Sequence, residues 1–208
     1  MPGARVTNAA TGLDRDFYNS AKGFVRIVLT VMGRISVRHA ERVPATGPLI
    51  IACNHVSYFD PPALGCMTPR PVAYMAKKEL FEIFFLGPLI RKLGAFPVDR
   101  QRGDTAAIKA ALRLLETGAA LGIFPEGTRN LDGGAQPQLG VALLAAMSGA
   151  TVIPAYVAGS MEMNRFAKLT VSFGEPLENV PPRKASRDEL AKWTNGLMSR
   201  IYALREND

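Results

Sequence analysis

With 208 residues, 48% of them hydrophobic and 21% charged, the chain is long enough to bury a core and too apolar to be a disordered segment. Its formal charge of +7 narrows the partners to nucleic acid, an anionic membrane surface or negatively charged small substrates, and nucleic acid is set aside because no helix-turn-helix, zinc-finger or aromatic RNA-binding pattern is present. Two cysteines, Cys53 and Cys66, without a Cys-x-x-Cys pairing give no disulfide framework or metal site and suit a reducing compartment.

Residues 1–20 lack the apolar core of a secretory signal, and no stretch reaches the ~18 uncharged apolar residues of a membrane-spanning helix. Two runs stop short of it. Phe24 to Val37 is broken by Arg26 and Arg34, and Leu80 to Leu93 by Glu82, Arg91 and Lys92. Such runs suit a helix lying in a membrane interface, and equally a core-facing amphipathic helix. The first 42 residues carry seven basic side chains against three acidic ones, and this concentration beside an apolar run suits docking on anionic lipid. Residues 14–38 are therefore read as an interfacial helical pair. The chain divides into an N-terminal arm and membrane-interface segment, 1–38, and a domain over 39–208.

Beyond the arm, short apolar strands are expected at 49–53, 72–77, 94–99, 120–127, 151–157 and 169–174. Between the third and fourth, Asp104 is placed to cap a helix whose face is Ile108, Ala111, Leu112 and Leu115 and which Gly118 stops. A small-residue helix follows at 141–149. Ser186 and Glu189 have capping-box spacing ahead of the stripe Leu190, Trp193, Leu197, Ile201 and Leu204. Strands alternating with helices predict a single α/β layered domain, its mixed, largely parallel sheet flanked by helices, with functional residues at the strands' carboxyl ends.

Three polar motifs occupy such ends. Asn54 and His55 follow the apolar run 49–53, with Asp60 five residues after the histidine. A neutral imidazole takes a proton from a hydroxyl when a carboxylate holds its far nitrogen, and Pro61 and Pro62 would open a helix that turns Asp60 back to it. Taken alone, the pair fits a strand-end histidine and an N-cap aspartate as well. The second motif contains Gly94, Phe96, Asp99 and Arg100, with Arg102 close behind; the third is Phe124, Pro125, Glu126, Gly127, Thr128 and Arg129. Gly127 lets backbone approach a ligand, while Arg100 and Arg129 offer forked donors that match phosphate oxygens.

The ordered set His-x4-Asp, Gly-x-Phe-x-x-Asp-Arg and Phe-Pro-Glu-Gly-Thr-Arg, followed by the proline-containing apolar strand Val152 to Gly159, resembles the glycerolipid acyltransferase family over residues 40–175, and within it the bacterial 1-acylglycerol-3-phosphate acyltransferases. The resemblance implies that His55 is the general base on the acceptor hydroxyl and that Asp60 orients it. It associates Arg100, Glu126, Gly127, Thr128 and Arg129 with the acceptor phosphate, with Asn54, Gly94, Phe96 and Pro154 in support. It also implies acyl transfer from acyl-CoA or acyl-carrier protein to a lysophospholipid, most directly lysophosphatidic acid, without an acyl-enzyme. No metal or cofactor is expected, since a thioester is already a good electrophile. The protein would be peripheral or monotopic on the cytoplasmic face of a membrane.

Many relatives carry lysine where Gln138 stands just ahead of Gly140, which leaves another lysolipid acceptor open. Cys53, two residues from His55, also leaves open a cysteine-dependent thioesterase, and a scaffold kept only for lipid binding is the third alternative. Phe81, Phe84 and Phe85 are candidate walls of an acyl tunnel.

Overall fold

The computed structural model describes residues 7–8, 13–99, 105–163 and 166–205. β1 (Thr7–Asn8) and β2 (Leu13–Asp14) form a short antiparallel ribbon, and Asp14 Oδ1 accepts from Phe17 N at 3.1 Å to cap α1 (Arg15–Met32). The chain continues through β3 (Ile35–Arg38), β4 (Leu49–Cys53), α2 (Asp60–Met67), β5 (Val72–Lys77), α3 (Leu86–Lys92) and β6 (Phe96–Val98). It ends with α4 (Thr105–Glu116), β7 (Ala120–Ile123), α5 (Gly140–Ser148), β8 (Thr151–Ala158), β9 (Leu169–Phe173) and α6 (Arg187–Ala203).

Among the described residues, seven strands make one sheet in the order β3-β9-β8-β4-β7-β5-β6, parallel throughout except where β9 runs antiparallel to β8. The mixed, largely parallel sheet expected from the sequence is the one observed. Strand alternation sorts β4 between two cores: Leu49, Ile51 and Cys53 join Leu29 of α1 and Leu64 of α2, while Ile50 and Ala52 join α4, α5 and α6 through Leu115, Leu144 and Ile201. With both faces covered, all five residues of β4 are buried, which is why it reads as a continuous apolar run.

The structure departs from the expected helical pair over residues 14–38. One helix ends at Met32, and Ile35–Arg38 then pairs with β9 as an edge strand of the sheet. Gly33 permits the change of direction, because a Cβ there would lie 2.3 Å from Ala167 O. Residues 80–93 also break, into a 3-10 turn (Lys78–Phe81) and α3, where Pro88 and the close approach of Gly87 to Phe81 O divide the apolar run. The strand expected over 120–127 stops at Ile123, since Pro125 has no N–H to continue a ladder. Asp104, expected to cap α4, lies outside the described residues. The capping box of Ser186 and Glu189 forms as expected. Among the described residues, no helix is long and apolar enough to cross a membrane.

Candidate active site

Asn54, at the carboxyl end of β4, is fully buried and spans to β8, donating through Nδ2 to Val157 O (3.1 Å) and accepting from Val157 N (2.7 Å). That pairing holds the strand end rigid just before His55. The chain then turns, and Asp60 Oδ2 accepts from His55 Nδ1 at 2.9 Å and from Val56 N and Ser57 N at 2.7 Å each. Pro61 and Pro62 sit where α2 begins, so their missing N–H groups cost no hydrogen bond. An ionised carboxylate only accepts, so Nδ1 carries the ring proton and Nε2 is left as the acceptor. The imidazole also stacks on Phe124, with ring centroids 4.3 Å apart.

β7 supplies the opposite wall. Beyond Ile123 the loop 124–130 folds back on itself, with Gly127 at φ +68 donating to Phe124 O (2.9 Å). A Cβ at Gly127 would lie 2.9 Å from Gln138 Cγ, and Gln138 N in turn donates to Pro125 O (2.7 Å), so this turn requires glycine. Glu126 is 2% exposed and both carboxylate oxygens are taken up by protein. Oε2 accepts from His55 N at 2.5 Å, while Oε1 accepts from Asn130 Nδ2 (3.1 Å) and from the Tyr202 hydroxyl. Asn130 N also donates to His55 O at 2.7 Å. The backbone N–H and C=O of His55 are thus both tied to the loop after β7.

Burial, and then the bond to Glu126, pushes the Tyr202 phenol up to about 12, so it stays protonated and donates. Next to this network the Arg129 guanidinium carbon lies over the Tyr58 ring, 3.8 Å from its centroid, with Tyr58 itself 71% exposed. The stacking brings a forked cation to the same turn that joins His55 to Asp60. Thr128 is exposed beside it.

A base held by a carboxylate, with an arginine beside it, at the ends of parallel strands is an arrangement suited to acylating a hydroxyl next to an anionic group. The acyltransferase family model matches residues 34–158, more than half of the chain. The chain belongs to the acyltransferase family. It is 33% identical over 192 residues to the 1-acyl-sn-glycerol-3-phosphate acyltransferase of Bacillus subtilis (strain 168), covering 90% of this chain and 96% of that one. To the enzyme of the same name from Streptococcus pneumoniae it is 28% identical over 200 residues, covering 93% and 75%. The crystal structure of the 1-acyl-sn-glycerophosphate (LPA) acyltransferase PlsC from Thermotoga maritima shares the fold, with a TM-score of 0.73 at 24% identity over 91% of this chain and 78% of that one.

In this acyltransferase, His55, Asp60, Asn54, Glu126, Gly127, Thr128 and Arg129 converge on the ends of β4 and β7. Of the other sequence-predicted residues, Gly94 and Phe96 stand further out beside the edge strand β6, while Pro154 lies inside the sheet, paired with Ala52 of β4. Gly94, at φ +84, turns α3 toward β6; Phe96 packs from β6 against the core below α4; and Pro154 lies in β8 against Gly174. Arg100 and Arg102 lie outside the described residues. Reasoning from sequence missed Tyr58, Asn130 and Tyr202. Tyr58 could have been found as an aromatic inside the His-x4-Asp turn, whereas nothing local marks Tyr202.

Cys53 is fully buried on the α1–α2 side of the sheet, and its thiol donates to Asn54 Oδ1 (3.4 Å). Burial first, then the charges of Asp60 and Glu126, push that thiol well above its ordinary value. A thiol so held is neutral and inert, which argues against the cysteine-dependent thioesterase.

Proposed function

We propose that this protein is a 1-acylglycerol-3-phosphate O-acyltransferase, moving an acyl group from acyl-CoA or acyl-carrier protein to the free hydroxyl of lysophosphatidic acid to form phosphatidic acid. The reading is carried by His55 Nδ1 standing 2.9 Å from buried Asp60 Oδ2, which leaves Nε2 to take the hydroxyl proton. As that proton moves to Nε2, the oxygen attacks the thioester carbonyl. The tetrahedral intermediate then collapses, the C–S bond breaks, and the imidazolium returns the proton to the leaving thiolate. Asp60 stabilises the imidazolium between the two transfers. The reaction so written draws on no metal or cofactor. Arg129, with Thr128 and Arg100, is read as the phosphate-binding set, while Glu126, turned into the protein, serves the base.

An acceptor that stays in the bilayer calls for an enzyme seated on it, and two exposed apolar surfaces support that seating. On α1 the inner stripe Tyr18, Val25, Leu29 and Met32 packs against the core, yet Phe24, Ile27 and Val31 on the outer side are 67%, 64% and 72% exposed. Ile83, Phe84 and Phe85 are exposed just ahead of α3, and Lys92 Nζ lies 5.3 Å from the Phe17 ring centroid, so α3 and α1 are neighbours. We read these surfaces, with exposed Arg26 and Arg34, as a docking face for an anionic membrane on its cytoplasmic side.

The test is release of free thiol from palmitoyl-CoA and from palmitoyl-carrier protein, with and without lysophosphatidic acid. Acceptor-dependent release that His55→Ala abolishes supports the reading; acceptor-independent release overturns it in favour of a thioesterase.

A further inference from the structure

α6 lies beyond the residues matched by the family model, yet its last turn reaches the catalytic motif. Tyr202 donates its hydroxyl to Glu126 Oε1, and the same hydroxyl accepts from Asn130 Nδ2 at 3.3 Å. Glu126 Oε2 accepts from His55 N at 2.5 Å. A short relay therefore runs from the C-terminal helix through one carboxylate to the backbone of the histidine.

We propose that Tyr202 is a positioning residue for the base, fixing the Glu126 carboxylate so that its second oxygen pins His55. A glutamate carboxylate turns easily about its last torsion. Two donors on Oε1 remove that freedom and aim Oε2 at the His55 N–H. The ring torsions of His55 are held separately, by Asp60 and by the Phe124 stack, and Asn130 N holds its C=O, so the Glu126 bond is what fixes the histidine N–H. Small displacements of a reacting group are costly to the rate.

The position of α6 is itself well set. The capping box of Ser186 and Glu189 fixes its start, and Leu197 and Ile201 are buried in the same core as α5 and β8. The Tyr202 ring meets Tyr156 edge-on at 6.1 Å, so Tyr202→Phe keeps the packing and deletes only the hydroxyl. Tyr202 also lines a hollow with Val56, Asn130 and Met161, which gives the competing role of a substrate contact.

The proposal rests on His55 as the base, and its test has one arm that needs no turnover. The chain has two histidines, so protein labelled with 15N-histidine gives backbone amide signals from His55 and His39 alone. The short, charge-assisted bond to Glu126 places the His55 amide proton far downfield. Tyr202→Phe is expected to move that signal upfield and leave His39 in place, and Glu126→Gln is expected to move it further. In turnover, Tyr202→Phe is expected to lower kcat roughly tenfold with both KM values within about twofold, while the melting temperature falls by only a few degrees and the protein stays folded at the assay temperature. An unmoved His55 amide overturns the proposal. So does an unchanged kcat, or a raised KM at constant kcat, which would make Tyr202 a substrate contact. A protein with no turnover at all would instead sink the functional reading, while the amide signal still decides whether Tyr202 positions His55.

Discussion

Asp60 Oδ2 stands 2.9 Å from His55 Nδ1 and 2.7 Å from the amide nitrogens of both Val56 and Ser57. One carboxylate oxygen thus shapes the loop and orients the ring. In Asp60→Asn the amide oxygen can still accept from the loop but brings no charge to the imidazolium. We expect kcat to fall by about 10²- to 10⁴-fold with the acceptor KM little changed, as for other orienting carboxylates. Steady-state kinetics beside a thermal melt checks this; a variant within about twofold of wild-type kcat would remove Asp60 from the mechanism.

In the proposed function the Tyr58 ring, 3.8 Å from the Arg129 guanidinium carbon, supports that cation where its edge would meet phosphate oxygens. Tyr58→Phe keeps the stack and is expected to be neutral. Tyr58→Ala loses it, so the acceptor KM should rise on the order of tenfold with the donor KM unmoved. Equal effects on both substrates would show that Tyr58 shapes the loop and not the headgroup site.

Much of this site could be read from the sequence because the motifs close over short spans. His55 and Asp60 are five residues apart beside two prolines, and β4 is apolar because both its faces are covered. What escaped depends on distant pairings. Ile35–Arg38 follows directly on an amphipathic helix, and only its ladder with β9, more than a hundred residues later, makes it a strand. The antiparallel turn of β9 beside β8 has no local sign either. Glu126 carries a motif position suggestive of substrate contact, but His55 N, Asn130 and Tyr202 take its oxygens once the chain is folded.

Cys53 offers a direct check on the thioesterase alternative. Its thiol is raised well above the ordinary range by burial, so its thiolate fraction at pH 8 is lower in the fold than in the unfolded chain. Iodoacetamide at pH 8 is expected to label Cys53 only after denaturant is added, and Cys53→Ala should keep acceptor-dependent turnover. Peptide mapping by mass spectrometry reads the first expectation and a thiol-release assay the second.

Tyr18 anchors α1, accepting from Val72 N at 3.1 Å within a buried pocket, and burial raises its phenol to about 12. In the unfolded chain the phenol ionises near 10, so between these values the unfolded state holds fewer protons than the native one. The stability Tyr18 contributes is complete below pH 10 and is lost as pH rises through 12, by about 3 kcal/mol. The urea midpoint should therefore fall steeply above pH 10, and less steeply in Tyr18→Phe. Equal slopes would mean that Tyr18 is not buried as described.

The proposed membrane seating is separable from folding on α1, because its two apolar stripes point opposite ways. Phe24, Ile27 and Val31 are exposed, whereas Lys22 donates to Thr68 O at 2.6 Å and ties the helix to the end of α2. Replacing the three exposed residues by serine should leave the melting temperature in place. It should weaken pelleting with anionic vesicles by about 100-fold, since each side chain stands to bury apolar surface worth about 1 kcal/mol or more in the interface. Arg26→Gln with Arg34→Gln should instead act only on anionic vesicles, and less at high salt, each arginine contributing about 1 kcal/mol. Lys22→Met serves as the opposite control, lowering stability and leaving vesicle binding of the folded protein unchanged. If the serine variant pellets like the wild type, the docking face lies elsewhere, and exposed Phe84 and Phe85 ahead of α3 are the next residues to replace.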